Sequence, residues 1–419
     1  MLPHITSFVE KSVVNERIKA YLRSKIGHIY WAVYLDNAKA AHILQQALSV
    51  QEQYYKEPNP HTAYTLGELG IAYRLLGNDE KSQHYIERSI ELYKRYYKNE
   101  DCIEIARLLV TSTGFHKRSD YQKTVDDYYK GLSVYKKYYG EDHIKTAWIY
   151  SGLGAFYRMW GKYNKSKDFL EKTIAIHENT EIKNKIEYAW LIINLGVIYQ
   201  NIGDLMKAKE LIEEGLSIYK KNLKENNIEI AWGQIHLAIT YGHLGNWQKA
   251  KHIIEEYLPY YTQYYDHSHE NIAWILEKLG IVYRELKDFS SAYEKFSQSR
   301  NIYKKRYGDN SIQVALSLYN IGKTKFLEAD LNTAEEYLNK ALEILENSHQ
   351  DKAYRVLETL IELYKQQAAN AKNYRDNTKS QVYYSKKTQE CVNKLLIILE
   401  NNFPENSPYV NKIKQKLGI

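Results

Sequence analysis

The sequence predicts an all-α chain, a right-handed superhelical solenoid of antiparallel helix pairs, because one pattern recurs at a fixed interval through most of its length. A small residue returns at Gly70, Gly154, Gly196, Ala238, Gly280 and Gly322, every 42 residues, or 84 where the intervening unit is degenerate. Three residues further on, the same register carries Tyr73, Phe115, Tyr157, Tyr199, Tyr241 and Tyr283. A second small residue recurs as Ser82, Ser166, Ala208, Ala250, Ala292 and Ala334.

Each unit has two amphipathic halves. In Ala189-Trp190-Leu191-Ile192-Ile193-Asn194-Leu195-Gly196-Val197-Ile198-Tyr199 the bulky residues stand three and four positions apart, which is helical spacing. Ile202-Gly203-Asp204 interrupts the pattern as a tight turn, and Ala208, Leu211, Ile212, Leu216 and Tyr219 restore the stripe in a second helix. The polar run 221–227 then links to the next pair. Small residues belong where two helices cross closely, so enlarging Gly196 or Ala208 is expected to force the backbone apart. A single pair cannot bury both of its apolar faces, and we therefore expect one continuous core and one elongated domain.

In chain order, residues 1–20 read as an N-terminal helical cap or junction and 21–350 as eight helix pairs. The first, atypical pair covers about 21–58, and seven units begin near 61, 103, 145, 187, 229, 271 and 312. The third unit is the weakest: Thr111-Ser112 or Ser112-Thr113 replaces its Leu-Gly step, while Phe115, Tyr121, Leu132 and Tyr135 keep the register. Residues 351–419 hold an atypical ninth pair, about 351–400, and a short capping helix, about 406–417. Tyr364 there replaces the expected small residue, and Val392, Leu395, Leu396, Ile398 and Leu399 form a stripe that caps the stack or meets a second copy of the chain, with capping favoured.

These motifs resemble the tetratricopeptide repeat family. The pattern is Leu-Gly-x-x-Tyr, a turn glycine, then alanine and a large apolar residue, as in Leu195-Gly196, Tyr199, Gly203, Ala208 and Leu211. The period, with links such as Tyr139-Gly140-Glu141-Asp142-His143 and Tyr307-Gly308-Asp309-Asn310, is similar to kinesin-light-chain-type repeats over about 60–345. That family's first-helix Asn-Leu pair is matched at Asn194-Leu195 and Asn320-Ile321 and replaced by Glu68-Leu69, Gly152-Leu153, His236-Leu237 and Lys278-Leu279. An asparagine ladder on a peptide backbone is thus only partly implied. A weaker resemblance links Leu2-Pro3-His4-Ile5 and the helix after it to the junction before the repeat sensor portion of bacterial STAND/NB-ARC signalling NTPases. No Gly-x-x-x-x-Gly-Lys-Ser/Thr segment occurs, so nucleotide hydrolysis by these residues is unsupported.

In a right-handed stack the first helices line the concave side. Counting from the alanine before tryptophan, position 2 is aromatic in Tyr64, Trp148, Trp190, Trp232 and Trp274. Each indole either wedges against the preceding second helix or leaves part of its ring to stack on an extended peptide, and both can hold at once. Position 12 carries Arg74, Arg158, Gln200 and Arg284, and position 13 carries Asn201 and His243. Asn194, His236, Lys278 and Asn320 occupy position 6. Guanidinium groups in one groove would favour an acidic or C-terminal peptide segment, whereas the bland reading makes them solvated helix-end residues.

Other chemistry is poorly supported. Cys102 and Cys391 are the only cysteines, too few for a disulfide framework and too far apart in sequence for a metal motif. Tyr265-Asp266-His267-Ser268-His269-Glu270 reads as a helix-capping link in preference to a metal site. Glu213-Glu214, Glu255-Glu256 and Glu335-Glu336 read as solvated convex-side residues, not a catalytic dyad. The 41 tyrosines include Tyr93, Tyr135, Tyr219, Tyr261 and Tyr303 in register, expected to cover apolar area while their hydroxyls reach water. Aromatic-basic runs such as Tyr93-Lys94-Arg95-Tyr96-Tyr97 could track single strands of nucleic acid, but the net charge of +7 is modest for 419 residues.

We therefore expect a noncatalytic scaffold without cofactor or metal, whose concave groove binds a protein or an extended peptide, with acidic residues favoured. The alternative is the ligand-sensing, regulatory portion of a larger bacterial signalling NTPase; RNA or DNA binding ranks below both. Homo-oligomerisation through the C-terminal region stays open. With neither a leader nor an apolar run of membrane-spanning length, the expected location is the cytoplasm, of a bacterium or of a host cell that receives the protein.

Overall fold

The computed structural model describes residue 9 and residues 15–34, 36–76, 78–112, 121–179, 185–265, 267–348, 352–372, 378–402 and 408–417. The Leu2–Ile5 junction, Phe115 and Asp266 lie outside the described residues. Every regular element among the described residues is a helix. The first pairs are α1 (Glu16–Ala32) with α2 (Asn37–Tyr54), α3 (Pro60–Leu75) with α4 (Asp79–Tyr97), α5 (Ile103–Ser112) with α6 (Tyr121–Tyr139) and α7 (Ile144–Met159) with α8 (Tyr163–Glu178). They continue with α9 (Ile186–Ile202) and α10 (Leu205–Asn222), α11 (Ile228–His243) and α12 (Trp247–Tyr264), α13 (Glu270–Glu285) and α14 (Phe289–Tyr307), and α15 (Ile312–Leu327) and α16 (Leu331–Ser348). α17 (Tyr354–Lys372) packs on the longer α18 (Thr378–Asn402), and α19 (Pro408–Leu417) ends the chain.

The repeat led us to expect a single unbroken domain, but the contacts gather into two compact units, Met1–Lys183 and Asn184–Ile419. Within each unit the architecture is a helix-pair solenoid: each helix packs on its partner and each second helix on the next first helix. First helices also touch the next first helix, as α1 does α3 in the first unit and α9 does α11, α11 does α13 and α13 does α15 in the second. α8 departs from the pattern, being shorter than α6 or α10 and carrying His177 where Tyr135 and Tyr219 stand in those helices.

Close crossing defines each pair. Ser82, Ser166, Ala208, Ala250, Ala292 and Ala334 are all fully buried. A Cβ on Gly196 would come within 2.7 Å of Ile212 Cγ1 and 3.0 Å of the Ala208 carbonyl. Where serine replaces alanine its hydroxyl is also used, since Ser166 Oγ donates to the Gly154 carbonyl at 2.6 Å and Ser82 Oγ to that of Gly70. The tyrosines Tyr93, Tyr135, Tyr219, Tyr261 and Tyr303 are buried, as packing requires. Their hydroxyls do not all reach water: that of Tyr261 is enclosed, and that of Tyr219 lies 3.5 Å from the Glu229 carboxylate. The second helix of a neighbouring pair closes over each ring, which is why the expected exposure fails.

Caps keep the same register. Asp36, Asn78, Asp204, Asn246, Asp288 and Asp330 accept a backbone N–H at the start of second helices, while Asn59, His143, Asn227, His269 and Ser311 do so for first helices. The intra-pair turn needs a left-handed residue, met by Gly161, Gly203 and Gly245 at φ values of 68°, 103° and 87°. At the same register Lys287 and Ala329 are forced to 63° and 67°.

In α18 the apolar stripe is covered: Val392, Leu395 and Leu399 sit in one core cluster with Leu360, Ile361 and Tyr364 of α17. Tyr364 thus fills space left by the missing small-residue crossing. Among the described residues no helix is long and apolar enough to cross a membrane.

Left-handed backbone costs a β-carbon residue about 1–2 kcal/mol, partly offset by the greater entropy that glycine loses on folding. Lys287→Gly and Ala329→Gly should therefore each stabilise the chain by about 0.5 kcal/mol, read as a raised urea midpoint at unchanged slope. Gly196→Val should cost about 2 kcal/mol in the same assay, because the listed backbone neighbour cannot move aside as a flexible side chain could.

Candidate functional site

The alternation of small and bulky residues brings one face of α9, α11 and α13 out beside the seam between first helices. Trp190 is 37% exposed at the start of α9, and Trp232 and Trp274 are half-buried at the same position of α11 and α13. His236, itself buried, links two of the indoles, its ring centroid 4.9 Å from that of Trp232 and 5.2 Å from that of Trp274. Lys278 Nζ lies 5.8 Å from the Trp274 ring centroid. Each of these rings thus packs on one side and is incompletely covered on another.

Polar residues beside the tryptophans are largely engaged. Asn194 is buried and its amide donates 2.8 Å to the Trp190 carbonyl, one turn back on its own helix. Asn201 does the same to Val197 at 2.7 Å, although it stands exposed. Gln200 reaches from α9 to the Thr240 hydroxyl of α11 at 3.2 Å. Arg284 is buried and donates to Asn320 Oδ1 on α15 at 3.2 Å, with Glu285 3.5 Å from its Nε. Burial lowers its pKa against the attraction of Glu285. The solvated helix-end reading therefore fails for Arg284 and Asn320, which bridge consecutive first helices. His243 stands at the exposed end of α11, where partial burial of its ring and the charge of Lys278 lower its pKa.

In the first unit the position-2 residue Trp148 is 48% exposed and its other side meets Tyr135 of α6 at 6.2 Å between centroids. Arg158 is half-buried, and burial lowers its pKa. Arg74 Nη1 donates to the Thr111 carbonyl of α5 at 2.5 Å, again a link between first helices.

Glu68 on α3 was visible in the sequence only as a replacement for asparagine, yet it is the centre of the densest polar network in this unit. Its carboxylate is fully buried. Oε2 accepts from Trp31 Nε1 at 2.9 Å and lies 2.8 Å from His28 Nδ1, both on α1. Arg107 Nη2 of α5 donates to Oε1 at 2.9 Å. Burial raises the Glu68 pKa, but the His28 hydrogen bond and the Arg107 charge outweigh it and leave the pKa below its ordinary value. The sequence signal was a charged residue within an otherwise apolar first helix, Leu66-Gly67-Glu68-Leu69.

The remaining sequence candidates have structural placements. His269 Nδ1 accepts the Asn271 N–H at 3.2 Å as a helix cap, in keeping with the capping reading of that link. Glu213 and Glu255 take the hydroxyls of Tyr241 and Tyr283, at 2.9 Å and 2.5 Å, tying each second helix to the next pair. Both cysteines are free and buried. Among the described residues no group of three His, Cys, Asp or Glu side chains is placed to hold a metal ion.

The fold and its repeating contacts define a helical-repeat class that matches a known family. The tetratricopeptide repeat model matches residues 20–95, 114–179, 187–263, 229–305 and 271–347, more than half of the chain, which therefore belongs to the tetratricopeptide repeat family. A Rap protein complexed with Competence and Sporulation Factor is similar in fold at a TM-score of 0.58 and 12% identity, over 91% of this chain and 99% of that one. The apo form of RapI is similar at a TM-score of 0.58 and 15% identity, over 93% and 100%. The kinesin light chain TPR-like repeats of Podosopora anserina show a TM-score of 0.41 and 19% identity, over 49% and 97%. No curated protein matches the chain.

Because the Glu68 pKa is lowered in the folded protein, its contribution to stability is present above the unfolded carboxylate pKa, roughly 4.3, and is lost as pH falls through the folded value. Glu68→Gln should cost about 3 kcal/mol at pH 7 by leaving the Arg107 charge uncompensated. Urea unfolding of both proteins should show this gap closing as pH drops below about 4.

Proposed function

We propose that the chain is a noncatalytic scaffold and that the first-helix face of Asn184–Ile419 binds an extended peptide or protein segment. The observation that carries this reading is the row Trp190, Trp232 and Trp274, held at one register on consecutive first helices with ring surface left uncovered. Tryptophan combines a large apolar area with an N–H donor, the combination that dominates binding energy at protein interfaces.

Within this proposal the polar residues divide into two roles. Gln200, Arg284 and Asn320 fix the spacing of the first helices, and Asn194 orients the helix end that carries Trp190. Asn201, His243 and Lys278 stand at the edge of the row, with side chains at least partly open to a ligand. Trp148, Arg158 and Arg74 extend the same type of surface on the first-helix face of Met1–Lys183, taken by itself. A solved structure of similar fold is a complex with Competence and Sporulation Factor, which is a precedent for ligand binding by such a helical stack.

The test uses a peptide selected from a random library against the full chain. Calorimetric titration should show Trp190→Ala/Trp232→Ala binding it roughly tenfold or more weakly, with helicity and unfolding midpoint retained. Equal affinity in a folded double variant would remove the tryptophan row from recognition.

A further inference from the structure

The first-helix face of the first unit carries more fixed positive charge than its own carboxylate balances. Lys25 on α1 is half-buried, its ammonium 3.6 Å from the centroid of the Tyr64 ring and 5.5 Å from that of Tyr21. Ring faces attract a cation but accept no ordinary hydrogen bond, so the ammonium donors are left to solvent or to a ligand. Among the described residues Lys25 makes no ion pair. Glu68, the carboxylate nearest in charge influence, is already held on both oxygens by His28, Trp31 and Arg107. Burial and repulsion by Arg107 lower the Lys25 pKa against the attraction of Glu68.

Two permanent cations, Lys25 and Arg107, therefore share one carboxylate. Arg107 uses Nη2 toward Glu68, keeps further N–H donors, and has 28% of its side chain exposed. Around them stand two imidazoles: His28, 41% exposed, and His61, whose ring meets Tyr21 edge-on at 5.1 Å. An anion arriving there meets donors already held by packing and cation-π contact, with little side-chain freedom left to lose.

We propose that Lys25 and Arg107 form a seat for one oxyanion group of a ligand, a carboxylate or a phosphate, walled by the rings of Tyr21 and Tyr64. The seat stands on α1, α3 and α5 and uses none of the tryptophans in the row on α9, α11 and α13. Failure of either reading is thus separable from failure of the other.

The experiment takes the full chain with its lysines reductively methylated with carbon-13, which keeps their charge. It is titrated with sodium phosphate, and separately with sodium acetate, against chloride at constant ionic strength. The Lys25 resonance, assigned by its absence from Lys25→Met, should shift saturably with at least one anion, and which one does so distinguishes a phosphate from a carboxylate ligand. Without methylation, the same anion should raise the urea midpoint of wild type and of Lys25→Arg but not of Lys25→Met, because binding to the folded state stabilises it by mass action. A Lys25 signal that moves no more than that of Lys137, exposed on α6, would overturn the proposal. So would a folded Lys25→Met protein that gains as much from both anions as wild type does.

Discussion

Close approach of two helices at one small residue per helix is the constraint on which the other features depend. With Gly196 against the Ala208 backbone, the large residues one turn away interlock instead of holding the helices apart. Once the crossing distance is set, the intra-pair turn must close in three or four residues, which forces the left-handed position occupied by Gly203 and, under strain, by Lys287 and Ala329. The cap that follows, Asp204 or its equivalent, then restarts the chain at the angle the crossing demands.

The same geometry decides what can stand on the first-helix face. Consecutive first helices touch, so a long polar side chain near the seam finds its partner on the next helix before it finds a ligand. Arg284 with Asn320, Gln200 with Thr240 and Arg74 with the Thr111 carbonyl are three solutions to that crowding. The Glu68 network is a fourth, drawing α1, α3 and α5 together through one carboxylate. Tryptophan at position 2 escapes because it lies at the helix start, where the seam opens and the ring can lean on His236 or Tyr135 while keeping one side uncovered.

Much of the fold was legible because it rests on spacing. The 42-residue register of Gly196 and its equivalents specified the pairing, and the buried small residues follow it without exception from Ser82 to Ala334. What spacing could not supply is the identity of partners between units. Arg284 looked like a ligand clamp because a guanidinium on a helix face offers donors outward; only the three-dimensional position of Asn320, thirty-six residues away, turns it inward. Glu68 looked like a departure from a motif, since nothing in Leu66-Gly67-Glu68-Leu69 announces His28, Trp31 or Arg107. Nor did the repeat reveal the division into two compact units, because a regular register describes each pair and not how contacts accumulate along the chain.

The central claim is that recognition takes place on the first helices of the second unit. Hydrogen–deuterium exchange of the full chain, with and without a library-selected peptide, tests it most directly. The account predicts slowed exchange along the N-terminal turns of α9, α11 and α13, where Trp190, Trp232 and Trp274 stand. Slowing confined to the second helices α10, α12 and α14, with the first helices unchanged, would contradict it.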